Sequence, residues 1–382
     1  MSQTGDRDAG TVRASVFTEP GTPVRTVEVQ LAPPGPGEVE VAIAGAGVCH
    51  SDLHVVKGEW DVPAPVVLGH EGSGVVTALG AGVTGLEVGD HVVLSWVPGC
   101  GGCRQCELGR PWQCEVAANV VAAGGVLFDG TSRWSRDGAP LHHYLGVSSF
   151  AERVVVPASG AVRIRRDAPL DVVALVGCAV ATGVGAVRST AGVEEGATVA
   201  VIGCGGVGLS CIQGARLAKA GRIVAVDIDA AKLEHARRLG ATDTVDSSAT
   251  DAVEALKALV PEGLDYIFDA IGKIVTTEQA IAALGLGGAA VIVGLPPTGS
   301  TARFDPLVLA EANQRILGSN YGSVDPQRDI PALVDLYMDG ELDLDSLVSG
   351  RRPLEAAQDA LDDLAAGGAL RTLLVPSLVA PQ

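Results

Sequence analysis

The chain changes its hydrophobic rhythm near residue 180. Before about residue 170 the apolar positions come in short runs, EVEVAIAGAGV, GSGVVTALG and DHVVLSW, separated by PPGPG, VPAP and GAG. Val-rich runs of that length between Gly and Pro clusters predict short strands, and a succession of them predicts a β-rich, barrel-like domain. From about residue 180, strand-like and helix-like segments alternate. TVAVIG precedes VGLSCIQGARLAKA, RIVAVD precedes AAKLEHARRLG, and DTVD precedes DAVEALKALV; DYIFDAIG, TTEQAIAAL and AAVIVGL continue the series. This alternation predicts α/β structure with a doubly wound parallel sheet. The tail adds two helical segments, DIPALVDLYMDG and LEAAQDALDDLAAGG, and a closing strand, LRTLLV. No internal repeat interrupts the pattern.

Composition narrows the partners. Of 382 residues, 47% are hydrophobic and 19% charged, a globular balance with material for about two domains. The formal net charge of -18 repels phosphate backbones and anionic lipid surfaces, so neither nucleic acid nor a membrane is expected as a partner. MSQTGDRDAG at the start lacks the apolar stretch of a signal peptide. Two uncharged stretches, residues 172–187 and 197–215, approach the length of a membrane span. The second holds five Gly with Thr, Ser and Gln, and reads as strand, turn and helix. A soluble, cytoplasmic protein is expected. In a reducing compartment its eight cysteines serve as ligands and core residues rather than disulfides.

The cysteines carry the first chemical signal. Cys100, Cys103, Cys106 and Cys114 follow C-x2-C-x2-C-x7-C, the spacing of a closed tetrathiolate zinc site. Their segment, GCGGCRQCELGRPWQC, is too Gly-rich and polar to build a core, so a metal would supply its folding energy. A redox disulfide pair is the competing reading. A scattered set, Cys49, His70 and Cys178, offers three ligands and leaves a tetrahedral zinc one open position. A closed set beside an open one predicts a zinc that holds structure and a zinc that does chemistry.

GCGGVG, residues 203–208, supplies the second signal. Gly203 permits a tight turn, Gly205 lets a pyrophosphate approach the backbone, and Gly208 allows close helix–strand packing. Gly206 and Val207 open the helix whose positive end faces the phosphates. RIVAVD ends at Asp227, where a carboxylate accepts hydrogen bonds from ribose hydroxyls and repels a 2′-phosphate, favouring NAD over NADP. The competing role for Asp227 is capping the next helix. Lys232 on that helix is a further ribose contact or a surface lysine.

These motifs, with Cys49-His50-Ser51-Asp52-Leu53-His54, GHEGSG, the DGTSRW, HHYLG and SSF segments and the terminal LRTLL, resemble the zinc-dependent alcohol dehydrogenases of the medium-chain dehydrogenase/reductase superfamily over essentially the whole chain. The resemblance implies a GroES-like β-barrel catalytic domain, residues 1–179 and 321–382, and a Rossmann NAD-binding domain, residues 180–320. It implies two zinc ions per chain: a catalytic one on Cys49, His70 and Cys178 and a structural one on the four grouped cysteines. That catalytic zinc would lower the pKa of a bound alcohol, with hydride passing to the nicotinamide of NAD. The proton would leave through Ser51, a ribose hydroxyl and His54, whose side-chain type titrates near physiological pH. Asp52 would accept a hydrogen bond from His70 and fix its tautomer. Glu71 would lie beside the zinc, either joining its ligands or balancing charge. His50, where arginine is often found, and Arg371 would meet the pyrophosphate.

Trp96 takes the place of an aromatic pocket wall, and Ser51 is smaller than the threonine of some relatives. Together they point to a primary alcohol or aldehyde with an apolar or aromatic side chain. A thiol-dependent formaldehyde dehydrogenase is a close alternative, although Ala118 stands where the glutathione-dependent members carry an anion-binding arginine. LVGCAVATGVGAVRST also resembles nicotinoproteins that retain their NAD. A non-catalytic relative is disfavoured by the intact ligand set with Ser51 and His54. The segment between Cys114 and Phe150 resembles the loop of dimeric relatives, so a homodimer joined through its Rossmann sheets is expected. His91, His142, His143 and His235 lack ligand spacing, and Cys204 and Cys211 read as small packing residues.

Overall fold

The computed structural model describes residues 9–368 and 370–378. These residues form two compact units, one running to Cys178 and resuming at Asp325, the other spanning Ala179 to Val324.

The first unit is built from two sheets that make a nearly closed, barrel-like body. One has six strands, in the order Ala139–Pro140, Trp134–Arg136, Arg25–Leu31, Gly10–Phe17, Val66–Val67 and His142–His143. The other runs Ala161–Arg163, His91–Leu94, Glu71–Leu79, Glu38–Gly47, Arg371–Leu374 and Val348–Arg352. Strand Glu38–Gly47 is its hub. One edge pairs with Glu71–Leu79, and the other is shared by Arg153–Pro157 and the C-terminal strand Arg371–Leu374. The tail thus returns to the first unit through backbone hydrogen bonds. Helix Ala357–Ala365 closes the bottom of the core with Ala357, Ala360, Leu361 and Leu364, the i, i+3, i+4, i+7 stripe of a half-buried helix.

Strand register positions the site. Gly47 pairs with Glu71 in antiparallel register, so Cys49, just past the end of one strand, lies beside His70, just before its neighbour. The 3-10 helix Ala174–Gly177 then brings Cys178 to the same end. Gly177 makes this approach possible, because a Cβ there would meet the Leu94 carbonyl at 2.6 Å.

The second unit holds a six-stranded parallel sheet in the order Asp243–Asp246, Arg222–Asp227, Thr198–Ile202, Leu264–Asp269, Leu284–Ile292 and Arg315–Gly318. Numbered along the chain this is 3-2-1-4-5-6, the Rossmann order, which reverses beside the first strand. Val199, Ala200 and Val201 are wholly buried, as expected of a strand covered on both faces.

Two features depart from the sequence pattern. The β-rich half also contains helix His50–Val56, a segment too short for a 3.6-residue stripe to stand out. Edge strand Arg315–Gly318 is mostly exposed, so it lacks the apolar run that marked its neighbours. The uncharged stretch from residue 172 is divided among the short helices Leu170–Val173, Ala174–Gly177, Ala179–Gly185 and Ala186–Ala191. Among the described residues no single helix is long and apolar enough to cross a membrane.

Gly208 is the tightest point of the second unit, since a Cβ there would meet the Gly203 carbonyl at 1.7 Å. Gly208→Ala should force the helix off the sheet and lower stability by about 1–3 kcal/mol. The readout is a lower unfolding midpoint with zinc content unchanged; an unaltered midpoint would contradict the packing described.

Candidate active site and metal centres

Cys49 has extended backbone, φ -122° and ψ 157°, and stands at the N-cap of helix His50–Val56. Asp52, in the first turn, is wholly buried. Its Oδ2 accepts the Cys49 N–H at 3.2 Å, and its Oδ1 accepts the Gly69 N–H at 3.1 Å. The same Oδ1 lies 3.4 Å from His70 Nδ1. One carboxylate therefore ties together the two backbone segments that carry Cys49 and His70. An ionised carboxylate accepts only, so Nδ1 carries the hydrogen and Nε2 presents its lone pair. His70 Nε2 is buried without a hydrogen-bond partner.

Ligand atoms of Cys49, His70, Glu71 and Cys178 all lie within 4.8 Å of one another. A hydrogen bond from Cys178 holds the Cys49 thiol well below its ordinary range, against the opposing effect of burial. Cys178 moves the other way, raised by its contact with Cys49 and by burial. Two sulfurs sharing a proton beside an orphaned imidazole nitrogen form a set that a dication completes. Two thiolates and one imidazole suit zinc. Burial works to lower the His70 pKa, but the charges and hydrogen bonds of Asp52 and Cys49 outweigh it and hold it well above the usual value, so a dication taking the Nε2 lone pair would displace a proton there.

Glu71 is also wholly buried. Burial pushes its carboxyl up to about 7, opposed by Arg371. The Arg371 guanidinium is 3.6 Å away and itself only 2% exposed. The C-terminal strand thereby delivers a cation to the inner face of the ligand cluster.

The four grouped cysteines also converge within 4.8 Å. Short helices, Arg104–Glu107, Pro111–Gln113 and Ala117–Ala122, flank them. Backbone N–H groups of Cys100 and Ala117 point at Cys114 Sγ at 3.3 and 3.4 Å, and that of Cys103 at Cys100 Sγ at 3.3 Å. Backbone donors from Cys106 and Glu115 pull the Cys103 thiol down to about 6. Burial pushes Cys106 up to about 12. Amides aimed at sulfur stabilise thiolates, the form that binds zinc.

Ser51 lies beside the three-ligand set, with Oγ 3.8 Å from Cys49 Sγ. His54 is one turn further along the same helix. Three neighbours were given no role in the sequence reading: Glu59 and Trp60 lie outside its motifs, and Tyr144 lies inside HHYLG without being singled out. Tyr144 donates its hydroxyl to the Ser51 carbonyl at 3.1 Å and sets its ring edge-on to His70, 5.5 Å between centroids. Glu59 contacts His54 Nδ1, and Trp60 stacks on the His54 ring at 4.6 Å. Trp96 is half-buried and packs against the core of the first unit, as does Trp60. His50 is exposed at the start of the helix.

In the second unit Gly203 turns with φ +96°, a conformation that favours glycine. Gly205 is the N-cap of helix Gly206–Leu217, which begins with Gly206, Val207 and Gly208. Asp227 ends the second strand, 8% exposed. Its Oδ2 accepts the Cys204 N–H at 2.7 Å and its Oδ1 the Asp229 N–H at 3.0 Å. The cap of the following helix is Asp229, which accepts from Ala231 and Lys232; Asp227 is not spent on that task. Lys232 is half-exposed on the helix. Ile228 and Ile271, exposed at the ends of their strands, add apolar surface that the sequence reading passed over. Cys204 and Cys211 are fully buried and pushed up by burial. His143 is buried too, its Nε2 accepting the Arg133 N–H at 3.2 Å.

Known proteins similar to this chain point to one family. The family described as alcohol dehydrogenase GroES-like domain matches residues 35–166, and the family described as zinc-binding dehydrogenase matches residues 206–339. An S-(hydroxymethyl)glutathione dehydrogenase of Escherichia coli O6:H1 is 39% identical over 368 residues, spanning 95% of this chain and 99% of the relative. The crystal structure of an alcohol dehydrogenase zinc-binding domain protein from Burkholderia ambifaria matches with a TM-score of 0.92 at 36% identity, covering 96% and 99% of the two chains. Benzyl alcohol dehydrogenase from Acinetobacter calcoaceticus matches with a TM-score of 0.91 at 33% identity, with the same coverage. The chain therefore belongs to the zinc-dependent alcohol dehydrogenases of the medium-chain dehydrogenase/reductase superfamily, oxidoreductases that act on CH–OH groups with zinc and NAD(P) as cofactors.

Proposed function

We propose that this enzyme interconverts primary alcohols carrying apolar or aromatic side chains with their aldehydes, using NAD. The observation that carries the reading is the three-ligand cluster of Cys49, His70 and Cys178, with Asp52 on Nδ1 of His70 and Ser51 alongside. When bound, zinc supplies Lewis-acid polarisation of the substrate oxygen, and NAD supplies the hydride acceptor. Asp52 keeps His70 Nε2 available and fixes the spacing of the ligand-bearing segments. Ser51 accepts the hydroxyl proton of the alcohol and hands it towards His54. Arg371 balances the charge of Glu71, leaving that carboxylate as a reserve ligand or counter-charge within the cluster. In the role assigned here, Arg371 also meets the pyrophosphate, with His50 as the second contact. In the second unit, Gly203, Gly205, Gly206, Val207 and Gly208 form the turn and helix start suited to a pyrophosphate.

NAD is preferred over NADP because Asp227 ends its strand without serving as the helix cap, and a carboxylate repels a 2′-phosphate. Lys232 sits on the next helix as a second ribose contact. An apolar or aromatic substrate is supported by Trp96, Trp60 and Tyr144, all in the first unit. A second reading, oxidation of a thiol adduct of formaldehyde, is favoured by the E. coli relative at 39% identity. Ala118 in place of an arginine weighs against glutathione as the thiol. For the oligomer we propose a homodimer joined through strand Arg315–Gly318. Among the described residues its outer edge has no strand partner, and Ile316 is exposed, as are Phe304, Leu307 and Val308 shortly before it in sequence, the kind of apolar edge that association covers.

Metal analysis should separate the two centres. Wild type purified without chelator is expected to hold two zinc ions per chain. Cys178→Ala should hold one and lose at least a thousandfold in kcat/KM while its unfolding midpoint moves little. Cys106→Ala should also hold one, with a clearly lower midpoint. Equal effects of the two substitutions on stability would refute the division of labour.

Coenzyme choice rests on one carboxylate. Asp227→Ser should raise kcat/KM with NADP relative to NAD by about tenfold or more, and an unchanged ratio would remove Asp227 from the ribose site.

Steady-state rates with benzyl alcohol, ethanol and formaldehyde, the last with and without glutathione, distinguish the substrate readings. Benzyl alcohol is expected to give the highest kcat/KM, with no stimulation by glutathione; glutathione-dependent formaldehyde oxidation above that rate would favour the second reading.

A further inference from the structure

His54 has two ring nitrogens, and the relay needs only one of them to accept a proton. The other is taken up locally. After helix His50–Val56 the chain reverses at Lys57 and Gly58, and the Glu59 N–H bonds back to the His54 carbonyl at 2.9 Å. This turn brings Glu59 Oε2 onto His54 Nδ1. The next residue, Trp60, lies almost parallel to the imidazole, 4.6 Å between centroids and 20° between planes. Consecutive residues thus hold the ring on one edge and one face, while Trp60 is itself anchored in the core of the first unit. The side chains of His54 and Glu59 are 22% and 36% exposed, so water competes for both. A free imidazole there would exchange tautomers and rotate.

We propose that Glu59 is a positioning residue for the proton relay, selecting the His54 tautomer whose hydrogen is on Nδ1 and whose Nε2 accepts. The proposal rests on the assignment of His54 to that relay. An ionised carboxylate has no hydrogen to give, so its neighbour must donate, and a neutral imidazole that donates from Nδ1 accepts at Nε2. During alcohol oxidation an O–H bond breaks at the donor and an N–H bond forms at Nε2. Glu59 faces the imidazolium so produced and stabilises its charge. Trp60 keeps the ring in plane, so that Nε2 keeps its direction from one turnover to the next.

The test uses the zinc-loaded enzyme labelled with 15N in histidine. Long-range 1H–15N spectra report the tautomer of each ring, and His54→Gln identifies the His54 signals by their loss. Wild type is expected to show hydrogen on Nδ1 of His54. Glu59→Gln, which keeps a carbonyl acceptor, should retain that tautomer and lie within about threefold of wild type in kcat/KM for alcohol oxidation. Glu59→Leu should lose the tautomer preference and about tenfold in kcat/KM, with zinc content and unfolding midpoint unchanged. If His54→Gln keeps wild-type kcat/KM, the relay assignment fails and the proposal with it. If His54→Gln is slow but Glu59→Leu is not, or if wild-type His54 carries its hydrogen on Nε2, the proposal alone is overturned.

Discussion

Asp52 is the constraint on which the rest of the first unit's chemistry depends. It is a fully buried carboxylate with three polar contacts, to the Cys49 amide, the Gly69 amide and His70 Nδ1. Burying a charge without such partners would cost several kcal/mol. The contacts also do something specific. They start the helix that carries Ser51 and His54, hold the segment that carries His70, and leave His70 with a lone pair for a metal. Tyr144 reinforces the same geometry from the side, one end against Ser51 and its ring edge against His70.

The two candidate metal centres would solve different physical problems, one with four thiolates and the other with two thiolates and an imidazole. Around the four grouped cysteines there are short helices and glycines, so amide-to-sulfur hydrogen bonds supply local order and a bound metal would complete it. The three-ligand cluster draws its ligands from segments far apart in sequence. It is held by strand register, by the close approach at Gly177 and by the buried pair of Glu71 and Arg371. Its geometry exists because the barrel-like body exists, whereas the lobe's four ligands all come from one loop of the chain.

That difference governs what the sequence disclosed. The lobe is legible from spacing because its ligands are neighbours in the chain. The Rossmann strands are legible because a parallel sheet buried on both faces demands continuous Val, Ala and Ile, and GCGGVG because its turn and its close packing demand glycine. Cys178 was assigned through the family resemblance, since nothing in its local sequence points to His70. Glu59, Trp60 and Tyr144 were missed because their contacts with His54, Ser51 and His70 leave no periodic signal in the sequence. Edge strand Arg315–Gly318 was missed for the converse reason: its apolar side chains face outwards, so its pattern does not resemble a core strand. Asp227 shows structure refining sequence, because the capping role that competed for it belongs to Asp229.

The account stands most directly on the claim that Asp52 shapes the three-ligand centre and has no part in the four-cysteine lobe. Competition with a chromogenic chelator measures the zinc affinity of each centre in wild type and in Asp52→Ala. The account predicts that one zinc is lost about 10–100-fold more easily in the variant while the other keeps its wild-type affinity. Two zinc ions held as tightly as in wild type, or both weakened alike, would contradict it.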